Sequence, residues 1–354
     1  MAKKGLSSLL PWLILSLVVA FAAWKLHTSH FEWKLVAVTF QSADIRLIVL
    51  AVAVILLNYF LRAMRWAVFL RPSYKETNTK PIHWWSLVGP QFVGFTGLAI
   101  LGRMGELIRP LLVSRRTGLS FSSQVAVVMV ERIFDLGAFG LIFSLNLLLA
   151  PQLQTLPYLH RAGLTIGGLT IGIAVFVAGV RLAGEYMARM AETVFGIVSK
   201  PAGSFLAKKL LEFRAGLNVI DSLQDFIYAA ALSLLLWGTI AATYLLTLKA
   251  FPAPVSSLTL AHTIVLMGFS IAGSALPIPG GGGAWAGNVF ALTNLFGIPT
   301  ELATGAGLMI WVVTSLSVIP LGLIYAKVEG ISLRQVAERT EDAEEALLQS
   351  EGTV

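Results

Sequence analysis

The chain has 354 residues, 56% hydrophobic and only 13% charged, with mean hydropathy +0.78 and formal net charge +7. A soluble domain could not hide that much apolar surface, so the composition excludes a soluble globular protein and reads as a polytopic membrane protein. Without cysteine there are no disulfides and no thiolate metal sites, and the basic excess reads as loops facing anionic lipid rather than a nucleic-acid surface.

In chain order, Lys3 and Lys4 precede an apolar run over 8–26. It resembles a signal peptide but lacks a small-x-small cleavage site followed by a soluble domain, so it is expected as a retained first span. A second span is expected over 45–70. Next comes an apolar segment broken by Gly and Pro, 84–101, with a return over 104–117. Spans follow at 123–150 and 162–183. Segment 184–221 mixes charged residues with Tyr186, Phe195 and Phe205, as one or two amphipathic surface helices would or an ordinary connecting loop could. A span over 222–250 leads to a second broken pair, 258–278 with its return 284–297, and a last span covers 301–326. The expected fold class is therefore an all-α polytopic membrane protein with six full spans and two re-entrant helical hairpins. A transmembrane domain over 1–328 precedes a cytoplasmic tail over 329–354.

Positive charge favours re-entrant pairs over crossing ones. With the N-terminus in the cytoplasm, twenty of the 26 Lys and Arg lie inside. Five (Lys25, Lys34, Arg46, Arg161 and Lys249) lie outside, and Arg132 falls within a span. Crossing at 84–101 would carry Arg103, Arg109, Arg115 and Arg116 to the outer side. The same topology contains a repeat, about 1–157 and 158–328. An offset of 179 carries Leu57 onto Leu236, His83 onto His262, Gly94 onto Gly273, Gly102 onto Gly281 and Gly118 onto Gly297. With three crossings in each half, the second half must be inverted. Inverted repeats with broken helices are a transporter pattern, with the site where the breaks meet.

Three stretches carry the chemistry. In GRMGELIRPLLVSRRTG, Gly102 and Gly105 permit a tight turn. Glu106 and Arg109, three apart, are expected to share a helical face, either as an internal ion pair or as a polar site for a lipid phosphate. Arg115 and Arg116 read as headgroup anchors. In VERIFDLGAF, Glu131, Arg132 and Asp135 lie deep in an apolar helix, where ionisable groups are rare and need a partner or a wet cavity. Arg132 is expected to neutralise Asp135 in part, and Arg109 to reach Glu131 or Asp135. In SALPIPGGGGAWAGN, Gly280, Gly281, Gly282 and Gly283 expose bare backbone groups. Arg62 and Arg65 read as interface residues that snorkel. His83 and His262 have no ligands at metal spacing, and no nucleophile elbow or phosphate-binding loop occurs. No metal, cofactor or catalytic residue is expected.

GRMGELIRPLLVSRRTGLS followed by VVMVERIFDL, and later ALPIPGGGGAWAGNVFALTNLFGIP, resemble the lysylphosphatidylglycerol synthetase transmembrane-region family over about 9–326. The resemblance implies a flippase-like membrane protein whose signature positions are Gly105, Glu106, Arg109, Glu131, Arg132 and Asp135, with Arg103 beside them and the glycines at 280–283. Two departures stand out. Relatives often carry an acidic residue after the glycines, where this chain has Ala284 to Asn288, and the aminoacyl-transferase domain is missing, so synthesis of lysyl-lipid is not expected. The expected function is translocation of a lipid or lipid-linked anion across a bacterial or archaeal cytoplasmic membrane, with both termini cytoplasmic and no enzymatic activity. Expected partners are membrane lipids (phospholipid, aminoacyl-lipid or polyprenyl-linked), with a homo-oligomer or a lipid-modifying enzyme as further partners and no nucleic acid. The alternatives are a non-transporting subunit that scaffolds a glycosyltransferase or lipid-modifying enzyme, and a membrane enzyme using Glu131 and Asp135 as acid or base.

Overall fold

A computed structural model of the chain describes residues 32–153, 157–197, 199–220, 222–276, 278 and 281–330. The expected span at 8–26 and the tail from 331 lie outside these. Among the described residues there are helices and loops and no strand. The helices Ile45–Glu76, Tyr158–Gly196, Leu223–Lys249 and Thr300–Val328 are long and apolar enough to cross a membrane. The protein is a multi-pass, all-helical membrane protein.

A short helix α1 (Trp33–Gln41) leads into α2 (Ile45–Glu76). The Asp44 side chain caps α2 by accepting from the Arg46 backbone N–H at 2.9 Å. At 32 residues, α2 outruns the ~30 Å hydrocarbon core it must cross. Its main partner is α8 (Leu223–Lys249), which Ser222 caps by accepting from the Asp225 N–H at 3.1 Å. The two are antiparallel: Arg71 pairs with Asp225 at one end, and the Asp44 N–H donates to the Ala250 carbonyl at 2.7 Å at the other. Midway, the Asn58 side-chain amide donates to the Leu236 carbonyl at 2.9 Å and to Thr239 Oγ1 at 2.8 Å. Small buried residues, Ala51, Ala63, Ala229 and Ser233, allow this approach, as expected where packing rather than water drives association.

Both broken segments fold back as hairpins. In the first, α3 (Val88–Leu101) meets a 3-10 turn, Gly102–Leu107, and returns as α4 (Ile108–Thr117). Gly105 packs so tightly on the Gly97 backbone that a Cβ there would collide. In the second, α9 (Leu260–Ser274) returns as α10 (Gly282–Phe290) and a π-helical turn, Ala291–Leu295. Here Gly283 packs on the Gly273 backbone in the same way.

Between the hairpins in sequence, α5 (Phe121–Leu149) runs parallel to α8, with Phe134 against Phe226 at 5.5 Å and Phe139 against Trp237 at 4.6 Å between ring centroids. Its start adjoins the first hairpin at the Arg71–Asp225 end. Near its finish, the Asn146 amide donates to the Ala261 carbonyl at 3.0 Å, at the base of the second hairpin. The bases of the two hairpins thus sit at opposite ends of the bundle. The first hairpin also packs on the last helix, α12 (Val318–Val328), which continues from α11 (Thr300–Trp311) through a π turn, Val312–Leu316. Phe92 stacks on Tyr325 at 5.5 Å, and Arg116 reaches Glu329 at 2.8 Å.

The span expected to end at 183 instead continues. Helix α6 (Pro157–Gly196) carries non-helical angles at Ala183, the expected boundary, and bends there rather than stopping. Helix α7 (Lys200–Gly216) folds back on this extension, and Arg214 pairs with Glu185 at 2.8 Å.

Candidate functional site

Asp135 is the central residue of α5, and Glu131 lies one turn before it on the same face. Both carboxylates turn toward α2. Arg65 lies between them, donating to Glu131 Oε1 at 2.7 Å and to Asp135 Oδ1 at 2.7 Å. It also donates to Ser233 Oγ at 2.7 Å, which ties α8 to the same centre. Arg62, one turn earlier, reaches Glu131 at 3.2 Å and Asp135 at 3.9 Å. Arg109 comes from α4, lies 2.6 Å from the other Glu131 oxygen, and donates to Gln91 on α3 at 3.1 Å. Side-chain exposure is 1% for Arg65, 3% for Glu131 and 4% for Arg109. Aromatic faces complete the cage: the Arg109 guanidinium lies 4.4 Å from the Trp66 ring centroid, and Arg62 lies 4.8 Å from that of Phe95. Trp66 is fixed in turn by its indole N–H donating to Gln124 at 3.1 Å.

The cluster is unbalanced in two ways. Among the described side chains, three guanidiniums, Arg62, Arg65 and Arg109, face two carboxylates, Glu131 and Asp135, which leaves one positive charge. Two donors, Arg65 Nε and Gln91 Nε2, are buried without an acceptor. A buried cation surplus with spare donors costs free energy unless an anion offsets it.

Toward the surface, Glu106 pairs with Arg132 at side-chain exposures of 34% and 46%. Together with Gly94, Phe95, Leu98 and Arg109, this pair lines a recess of only about 10 Å³ beside Arg109.

Three sequence expectations are corrected. Glu106 does not pair with Arg109. The 3-10 turn ends at Leu107, so the i,i+3 spacing straddles a change of helix type and the two side chains diverge. Arg132 does not neutralise Asp135. Being one residue past Glu131, it points about 100° away, toward Glu106. Arg62 and Arg65 do not snorkel, because α2 continues to Glu76 and places Arg65 about three turns inside the helix. Segment 184–221 takes the helical alternative, as the extension of α6 and the returning α7. The expected reach of Arg109 to Glu131 is present. Arg103 lies in the 3-10 turn, and its side chain lies outside the description. Gly280 lies outside the described residues. Gly281 takes a left-handed φ of 73° and begins α10, and Gly282 and Gly283 form its first turn. The glycine run sits on the other hairpin, apart from the charged cluster. Arg62, Arg65 and Gln91 were missed. A usable signal was present in Arg71 and Lys75, which already supply interfacial charge beyond Arg65 and leave the earlier pair without that job.

No curated protein and no solved structure shows significant similarity to the chain. One family model does match, over residues 9–322, and it contains every described member of the charged cluster: the chain belongs to the lysylphosphatidylglycerol synthase transmembrane-region family.

Proposed function

We propose that this membrane protein moves a lipid with an anionic headgroup between leaflets of a cytoplasmic membrane. The observation that carries the reading is the surplus positive charge buried with Arg62, Arg65 and Arg109. A lipid phosphate crossing hydrocarbon needs a polar path, and planar guanidiniums bind phosphate oxygens in pairs. The outer Glu106–Arg132 pair acts as a gate, and its opening widens the recess beside Arg109 into the headgroup's entry. The two hairpins are re-entrant halves of an inverted repeat that open alternately. Three observations support the repeat: the bases of the hairpins lie at opposite ends, both hairpins close on a glycine-to-backbone contact, and Asn58 meets the residues flanking its offset-179 equivalent, Trp237. Such self-contact is what a two-fold axis between α2 and α8 produces. The charge split supports a cytoplasmic base for the first hairpin and cytoplasmic termini. The chain is not a catalyst on this reading, since the carboxylates of Glu131 and Asp135 are both taken up in pairs with arginines.

The test is reconstitution into liposomes with labelled lipids and protection from dithionite. Wild type is expected to move an anionic lipid, and Arg109→Gln to slow it at least tenfold while still inserting and folding. Equal rates for a folded Arg109→Gln would remove the cluster from the path and leave a scaffold for a lipid-modifying enzyme as the better reading.

A further inference from the structure

The second hairpin holds a buried polar group whose hydrogen-bonding capacity is poorly met. Asn288, in the last turn of α10, is 1% exposed; it interacts with the Tyr244 hydroxyl, but neither its Nδ2 nor its Oδ1 makes a well-formed hydrogen bond. That hydroxyl, from α8, pairs with Ser270 Oγ of α9 at 2.8 Å. Tyr244 and Ser270 are buried as well. Leaving a buried carboxamide this poorly met is costly, and native proteins rarely do so without a reason.

The repeat offset of 179 supplies that reason. It carries Arg65 onto Tyr244, Gln91 onto Ser270 and Arg109 onto Asn288. In the first half these three positions converge: Arg109 donates to Gln91, and Arg65 and Arg109 share Glu131. In the second half their equivalents converge again, on the equivalent three helices. The chemistry has changed completely. Ala241, Ile310 and Thr314 stand where Arg62, Glu131 and Asp135 would map, so the second cluster keeps hydrogen-bonding groups and loses every charge.

We propose that Asn288, Tyr244 and Ser270 form a second, neutral half-site that takes a headgroup hydroxyl. The donor set selects this ligand. Oδ1 only accepts and repels a phosphate oxygen, whereas Nδ2 only donates and finds nothing in an ammonium. A hydroxyl both gives and takes a proton, and two neighbouring hydroxyls meet both ends of the amide at once. This assignment rests on the translocation reading for its role: the arginine cluster holds the phosphate from one side, and the neutral half-site holds the polyol end from the other.

The experiment is native mass spectrometry of the purified full chain with three lipids of identical acyl chains. One carries a phosphoglycerol head, one a phosphomethanol head of equal charge without hydroxyls, and one an uncharged sugar head. Wild type is expected to bind the phosphoglycerol lipid roughly threefold to tenfold tighter than the phosphomethanol lipid, the range one or two net hydrogen bonds supply. Asn288→Leu and Tyr244→Phe are expected to erase that ratio, while Lys208→Gln, on the exposed face of α7, keeps it. Retention of the sugar lipid, lost in Asn288→Leu, would identify hydroxyls alone as sufficient; retention of the phosphoglycerol lipid only would identify the phosphate-linked polyol as the ligand. The proposal is overturned if wild type shows no hydroxyl preference, or if Asn288→Leu keeps it, as a site holding only water would. Should Asn288→Leu fail to fold, Tyr244→Phe decides by the same ratio. Binding preference without flipping would sink the translocation reading and leave the half-site standing. Flipping with a preference indifferent to both variants would do the reverse.

Discussion

The two hairpins share a backbone plan and differ in chemistry. Each is a broken helix pair closed by a glycine lying on backbone, and each carries a buried polar side chain on its returning arm, Arg109 in one and Asn288 in the other. Around Arg109 stand four more ionised groups; around Asn288 there is none. The difference teaches that one packing solution can host two kinds of site. Backbone crossings and small residues set the hairpin, leaving the few side chains at the centre free to be charged or neutral.

The largest effect should come from breaking the charged side at its centre. Arg65→Met leaves Glu131 and Asp135 without their shared partner, and stability is expected to fall by about 3–5 kcal/mol, as for other buried pairs. Thermal unfolding in detergent reads it, and adding Asp135→Leu should recover part of the loss. A smaller but sharper test is pairwise. Arg109 touches Glu131, and the Asp135 carboxylate pairs with Arg65, so a double-mutant cycle should show strong coupling for Arg109 with Glu131 and weak coupling for Arg109 with Asp135. Equal couplings would mean the cluster acts as one pooled charge rather than as directed pairs.

On the neutral side the sign reverses. Asn288→Leu removes a poorly satisfied buried amide and should leave the melting temperature unchanged or raised, whereas Arg109→Leu lowers it. A drop of equal size in both would erase the contrast between the hairpins. The smallest effect belongs to the outer pair. Glu106→Gln should cost about 1 kcal/mol or less, because its Arg132 partner is partly exposed, and the cost should shrink further in high salt. Sidedness can be checked in the same cysteine-free background. Ser122→Cys and Ala253→Cys, both exposed and at opposite ends of the bundle, should label from opposite faces of the membrane.

Much of the plan was legible beforehand because apolar run length and Gly-Pro breaks are local signals. The helices over 45–70, 123–150 and 222–250 and the turn-backs after 101 and 278 could be read that way. The partners within the site could not. Whether Arg65 snorkels or is buried depends on where α2 ends and on α5 and α8 meeting beside it, and neither is written near Arg65. The pairing of Glu106 hinged on a 3-10 turn, which i,i+3 spacing on an assumed α-helix conceals. Asn288 was passed over because a lone amide among glycines carries no signal until its neighbours across the hairpin are known.

The central claim is that a surplus buried cation draws an anionic headgroup, and Arg62 tests it most directly. Arg65 and Arg109 alone already hold both carboxylates, so Arg62→Gln removes the surplus while leaving each carboxylate paired. The measurement is the ratio of flipping rates for a monoanionic and a zwitterionic lipid with the same chains, in liposomes, for wild type and Arg62→Gln. The account predicts a ratio well above one in wild type that collapses toward one in the variant. A folded Arg62→Gln protein with the wild-type ratio would contradict it.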